Sequence, residues 1–188
     1  MLLEKEKSFI IIGSQNAITY QEIFPLLMEN KIWLGYGNGD MSFRVPDYFE
    51  ARETRFWIDE YGQKWRSMGN IAWYTNLDIR KRYEELILVK KYKSEDYSKY
   101  DNFDALNVNK VSDIPCDYAG AMGVPITFMY KYNPEQFEIL NALNRYVLVG
   151  NADLNEDIRK RHSHACNIEG KATYFRIVIR NKHPERVK

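Results

Sequence analysis

The chain has 188 residues, enough for one domain, or one with a smaller annex, and enough to bury a sizeable core. It is 45% hydrophobic and 28% charged, and its longest apolar run, residues 9–12, falls far short of a membrane span. Net charge is +1 but uneven: residues 159–188 carry nine Lys or Arg against two Glu, the rest eighteen basic against twenty-four acidic side chains. A basic end on an acidic body suits contact with a polyanion, and equally a solvated charged tail. The charged amino-terminal lead has no signal-peptide core behind it, and two Cys fifty residues apart make no disulfide framework. The expected setting is therefore a reducing cytoplasm.

Taken in order, Phe9, Ile10, Ile11, Ile12 and Gly13 form a β-branched run closed by glycine. It reads as a strand buried on both faces within a mostly parallel sheet. Such a strand needs neighbours on both sides, and only a short charged lead precedes it. Either later strands wrap around it or the chain is the second half of something larger. Gly13, Ser14, Gln15 and Asn16 would then line the ligand crevice at its carboxyl end. Thr19 with Glu22 makes a capping-box pattern ahead of an apolar helical face, in which Pro25 must kink the helix or lie in its first turn. Residues 32–36 start a new strand, and Gly37, Asn38, Gly39 and Asp40 signal a hairpin. A second turn and strand are expected around Tyr61 and Trp65, and a short helix or loop at residues 80–85. Leu86, Ile87, Leu88 and Val89 read as a further strand. Residues 93–104, polar and tyrosine-rich, read as a long irregular loop. Pro134 suits the first turn of a helix carrying Phe137, Ile139 and Leu140. The chain closes on a strand at residues 171–180.

Between these elements lies the stretch Gly69, Asn70, Ile71, Ala72, Trp73, Tyr74, Thr75, Asn76 and Leu77. Adjacent aromatics beside hydroxyl and amide groups suit the holding of a planar base outside a duplex, and suit an ordinary core strand as well. Elsewhere there is no phosphate-cradling glycine loop and no nucleophile elbow. His162, His164 and Cys166 lie close together, but the only other His and Cys are His183 and Cys116, so metal-site spacing is lacking and no metal is expected. As a self-contained enzyme the chain shows no catalytic centre.

Several blocks, in order and nearly end to end, resemble the EcoRI-type adenine-specific DNA methyltransferases. They are Phe9-Ile10-Ile11-Ile12-Gly13-Ser14-Gln15-Asn16-Ala17-Ile18-Thr19-Tyr20, Lys31-Ile32-Trp33-Leu34-Gly35, Lys64-Trp65-Arg66-Ser67-Met68-Gly69-Asn70-Ile71, and Tyr74-Thr75-Asn76-Leu77-Asp78. Met122-Gly123-Val124-Pro125-Ile126-Thr127-Phe128, Tyr132-Asn133-Pro134-Glu135-Gln136-Phe137-Glu138-Ile139 and residues 174–180 continue the match. The resemblance implies an α/β fold with a mixed sheet: residues 1–90 as the trailing half of a Rossmann-like methyltransferase core, residues 91–188 as an irregular α+β DNA-recognition lobe. It implies transfer of a methyl group from S-adenosylmethionine to the exocyclic amine of adenine in double-stranded DNA, within a restriction-modification system. The family's donor-binding half and its Asn-Pro-Pro-Phe motif are absent from these residues. The chain is therefore expected to be a fragment, the product of a truncated gene, or one piece of a split enzyme partnered by a separate amino-terminal half, and to be inactive alone.

Because that amine is paired in the duplex, the adenine must be flipped out. The resemblance makes Tyr74 the first choice to stack on it and Trp73 the second, since adjacent strand residues face opposite ways. Gly13, Ser14, Gln15 and Asn16 would border the donor site. Asn107, Asn109 and Lys110 are candidates to read bases, and Arg159, Lys160 and Arg161 to hold phosphates. The alternative is a non-catalytic DNA-binding or interaction module derived from the family.

Overall fold

The computed structural model describes residues 3–37, 39–101, 103–143, 148–149 and 167–185. They form a mixed α/β structure with few helical turns, in which two five-stranded sheets share one apolar core. The first sheet contains β1 (Ile10–Ser14), β2 (Trp33–Leu34), β3 (Gly39–Arg44), β4 (Phe56–Ile58) and β5 (Lys64–Thr75). The other four all pair antiparallel with β5, the longest strand of the described residues. β2 and β3 lie end to end along one of its edges, and β1 and β4 share the other.

That arrangement corrects two expectations. Gly37 and Gly39 have φ of +69° and +96°, but the chain does not fold back there; β3 continues along β5 where β2 leaves off. The turn glycines make a jog between collinear strands, and Asn38 lies outside the described residues. β1, in turn, is neither buried on both faces nor in a parallel sheet. Among the described residues it pairs with β5 alone, and Ile10, Ile11 and Ile12 are 60%, 44% and 49% exposed. β1 and β2 do run in the same direction, as a strand–helix–strand unit requires, but β5 is inserted antiparallel between them.

The helix between them is shorter than the periodicity implies. Ser14 caps a first 3-10 turn, its hydroxyl accepting the Asn16 N–H, while Thr19 donates back to the Asn16 carbonyl and so caps nothing downstream. α1 (Phe24–Met28) starts with Pro25 in its first turn, where the missing N–H costs no bond. It ends before Asn30, whose φ of +55° is the left-handed conformation that closes helices. Farther on, the β4–β5 hairpin turns on Asp59. Its carboxylate accepts the Tyr61 and Gln63 N–H groups at 3.0 and 2.9 Å and the Trp65 indole at 2.8 Å. These bonds, the indole's foremost, hold Asp59 below the usual carboxylate range.

The second sheet consists of β6 (Leu106–Asn107), β7 (Met122–Val124), β8 (Phe137–Leu143), β9 (Leu148–Val149) and, after a two-stranded ribbon of β10 (Asn167–Ile168) and β11 (Lys171–Ala172), β12 (Arg176–Asn181). Its order is β6-β7-β12-β8-β9, and only the β6–β7 pair is parallel. The expected helix after Pro134 is β8 instead. Asn133 caps a turn by accepting the Glu135 N–H, and the next residues pair with β12 with Phe137 and Ile139 inward. Residues 86–89 are likewise not a paired strand: Leu86 exchanges both backbone bonds with the Gln136 side chain, and Ile87 and Val89 face solvent. The closing strand is broken at residues 173–175, between β11 and β12. Residues 93–101 are largely irregular, as expected, yet they deliver Tyr97 and Tyr100 to the interior.

Tyrosines are a large part of what the core encloses. Burial pushes the phenols of Tyr97 and Tyr130 up to about 12, and those of Tyr74, Tyr118 and Tyr132 upward too. In the unfolded chain these groups lose their protons near pH 10, ahead of the folded state, so folding stability falls as pH rises from about 10 towards 12. Circular dichroism and tyrosinate absorbance followed together should show alkaline unfolding in that window. Ionisation of all tyrosines at their ordinary pKa without loss of fold would contradict this packing.

Candidate functional site

The stretch at residues 69–77 runs along the second half of β5, sandwiched between β1 and β2. It opens on a bulge: the β3–β5 register shifts between Gly39 and Met41, opposite residues 68–71, and Asn70 takes φ +57°. A side chain at Gly69 would collide with the Arg55 guanidinium, 2.2 Å from where its Cβ would lie. Bulges of this sort re-aim side chains and gather near functional sites.

Beyond the bulge, neighbours point opposite ways. Tyr74 faces the interior, 6% exposed, with Ile11 and Leu34 beside it in register. Its hydroxyl donates to the Ser14 carbonyl at 2.8 Å, and its ring edge would lie 3.1 Å from a Cβ on Gly13, so only glycine lets β1 approach so closely. Burial raises its phenol pKa well above the ordinary value. Trp73 faces the other way, half-buried, its indole N–H directed at the Met41 sulfur at 3.1 Å. Thr75 and Asn76 are already committed: Thr75 donates to the Phe9 carbonyl at 2.6 Å, and Asn76 brackets the lead into β1 by accepting from Phe9 N–H and donating to the Lys7 carbonyl.

Two apolar hollows flank this strand pair. The larger, about 510 Å³, lies on the Tyr74 face and is lined by Phe9, Ile11, Gly13, Ala17, Ile23, Leu26 and Ile32 among others. The smaller, about 300 Å³, lies on the Trp73 face between Ile10, Tyr36, Trp73, Leu77 and Ile79. Lys81 stands over the Tyr36 ring at 5.6 Å and donates to the Gly35 carbonyl; burial, and secondarily Lys131, lowers its pKa. β1 thus presents apolar surface on both faces and, among the described residues, an open edge along its length.

The remaining residues singled out by sequence lie apart. Gly13, Ser14, Gln15 and Asn16 sit at the carboxyl end of β1, with Ser14 opposite Ile71, and the side chains of Ser14 and Asn16 are exposed. Asn107 and Asn109 are on the other sheet. Asn107 is buried in β6; Asn109 and Lys110 follow it at the surface. Arg159, Lys160 and Arg161, and the His162, His164 and Cys166 group, lie outside the described residues. Among the described residues no cluster of potential metal ligands forms, and no helix is long and apolar enough to cross a membrane.

Sequence reasoning missed Arg176, which is buried against Asn107 and Asn109. β12 carries no alternating pattern that could have flagged it, because Arg176 through Ile179 are all buried.

Comparison with known proteins identifies the class. A family model described as adenine-specific methyltransferase EcoRI matches residues 1–182, and the chain belongs to that family. It is 45% identical over 189 residues to the Type II methyltransferase M.EcoRI of Escherichia coli, covering 98% of this chain and 53% of that protein. Type II methyltransferases M.MpnI of Mycoplasma pneumoniae and M.MgeORF184P of Mycoplasma genitalium are 34% and 32% identical, each over 97% of this chain and 59% of their own length. The chain thus spans little more than half the length of the curated relatives it matches. No solved structure gives a match.

Proposed function

We propose that this chain is the carboxyl-terminal part of a site-specific DNA adenine methyltransferase of a restriction-modification system. The complete enzyme moves the methyl group of S-adenosylmethionine to the exocyclic amine of a flipped adenine, with loss of one amine proton. Residues 1–90 supply the trailing strands of the transferase core, and residues 91–188 the target-recognition lobe. Besides family membership, the observation that carries this reading is β1: three consecutive isoleucines exposed on both faces of a strand with one open edge. A free-standing domain blunts such an edge with charge or covers it. M.EcoRI carries nearly as much chain again as this one, and a complementary amino-terminal half would cover β1.

For the donor, the chain supplies one rim. Ser14 and Asn16 offer exposed polar groups where a strand ends, with Gly13 and Gln15 partly buried beside them, and the large hollow there is almost wholly apolar, so it holds no partners for the donor's charged groups. Those must come from the other half. For the adenine, Trp73 is the better stacking residue. Both residues border an apolar hollow, but Tyr74 is 6% exposed with its hydroxyl and ring edge spent on β1, whereas Trp73 is only half-buried. Stacking returns about 1–3 kcal/mol towards the few kcal/mol of flipping.

Incubated with radiolabelled methyl donor and duplex DNA, the isolated chain should incorporate no label. Robust incorporation would overturn this division of the site. DNA binding without any methyl transfer, even when an amino-terminal half is supplied, would favour the non-catalytic binding module.

A further inference from the structure

Arg176, the first residue of β12, is only 8% exposed. Its Nε donates to Asn107 Oδ1 at 3.3 Å, its Nη2 to Asn109 Oδ1 at 3.2 Å, and its Nη1 to the Phe175 carbonyl at 3.4 Å. The two amides are themselves arranged for this. Asn107 Nδ2 donates to Asn109 Oδ1 at 3.1 Å, and the Tyr100 hydroxyl donates to Asn107 Oδ1 at 2.9 Å, so both amide oxygens turn towards the guanidinium. Every acceptor is neutral. Among the described residues no carboxylate forms an ion pair with Arg176, although six ion pairs form elsewhere.

Holding a cation away from water with dipoles alone leaves its charge uncompensated, which is costly unless an anion completes the site. The Nη2 end of the guanidinium bonds exposed Asn109, and exposed Lys110, a second cation, is next in sequence, so an anion from solvent would reach the site past these two residues. We propose that Arg176, oriented by Asn107 and Asn109, is a binding site for a backbone phosphate of DNA. A base edge is a poorer fit, because neutral acceptors would leave the charge as uncompensated as the asparagines do. The proposal rests on the DNA-binding reading above. It reassigns Asn107 and Asn109 from reading bases to aiming a cation.

The test uses three forms of the full chain: the unchanged protein, Asn109→Asp and Asn109→Ala. Asn109→Asp sets a carboxylate against the guanidinium, supplying internally the anion that the site lacks. Its Tm should rise in phosphate-free buffer, and inorganic phosphate, which should raise the Tm of the unchanged protein, should no longer do so. Asn109→Ala loses one acceptor and some stability but keeps the free cation, so phosphate should still stabilise it. In fluorescence anisotropy with duplex DNA, Asn109→Asp should bind on the order of ten-fold more weakly. Its slope of log affinity against log salt should be shallower by about one.

Phosphate stabilising the unchanged protein and Asn109→Asp alike, or failing to stabilise the unchanged protein, would overturn the site. If phosphate behaves as expected but the DNA slope of Asn109→Asp equals that of the unchanged protein, the anion is not DNA backbone and the proposal falls in that form. Failure of the unchanged chain to bind DNA while phosphate still distinguishes the variants would count against the DNA reading, leaving the anion site intact.

Discussion

Replacing Ile12 by Asp is expected to leave the isolated chain folded and to abolish its assembly into an active enzyme. Ile12 is 49% exposed on a strand whose second edge is open, so a carboxylate there stays hydrated and the Tm should move by no more than a few degrees. In the assembled enzyme the same position would be covered. Fully burying an isoleucine is worth about 1.5–3 kcal/mol, and a buried, unpaired carboxylate costs more than the isoleucine contributed. Affinity for the complementary half should therefore drop on the order of a hundred-fold or more. The amino-terminal portion of M.EcoRI, produced as a separate chain, is a suitable partner given the 45% identity of the matched region. Co-purification and methyl incorporation into duplex DNA are the readouts. Full activity from the Ile12→Asp mixture would show that β1 is not the seam between the halves.

How far the fold was legible depended on whether the deciding interaction was local. The turn after Asp59 and the place of Pro25 in a first helical turn follow from neighbours in sequence, whereas β5 joins into one strand two stretches that the sequence separates. The jog at Gly37 and Gly39 reads as a hairpin locally; only the length of β5, which can serve two strands in line, decides otherwise. Phe137, Ile139 and Leu140 fit helical and strand spacings alike, and pairing with β12, forty residues on, selects the strand. The isoleucines of β1 signal a buried strand by composition alone, and the structure overturns that: among the described residues β1 pairs only with β5, and all three side chains stay well exposed.

The site was legible as chemistry and illegible as orientation. Trp73 and Tyr74 were recognisable as a pair facing opposite ways, but a hollow borders each face, and only the fold shows that the Tyr74 ring packs on Gly13, sixty positions away, and bonds the Ser14 carbonyl. Asn107 and Asn109 looked like base readers because amide edges suit purines in the major groove. Their partner Arg176 lies nearly seventy residues downstream, and no local pattern links them. The role proposed for Arg176 rests on its acceptors among the described residues being neutral, which depends on the fold.

The second large effect separates Trp73 from Tyr74 in the assembled enzyme. Tyr74→Ala, the obvious probe, confounds two losses. Removing a ring this well buried costs about 3–5 kcal/mol of stability, so lost activity would say nothing about stacking. Tyr74→Phe keeps the ring and forfeits only the bond to the Ser14 carbonyl, about 1 kcal/mol, and should leave turnover close to that of the unchanged enzyme. Trp73→Ala should leave Tm less affected, because the indole is half-buried and borders open space. It should nonetheless slow methyl transfer by roughly 5- to 150-fold, the kinetic equivalent of 1–3 kcal/mol of lost stacking. The signature of stacking is rescue: with adenine opposite a mismatched base, which flips at lower cost, Trp73→Ala should recover much of its rate, and 2-aminopurine at the target should fluoresce less in the variant complex than in the unchanged one. Equal rates for Trp73→Ala and the unchanged enzyme, with slow transfer by Tyr74→Phe at undiminished Tm, would return the adenine to the Tyr74 face of β5.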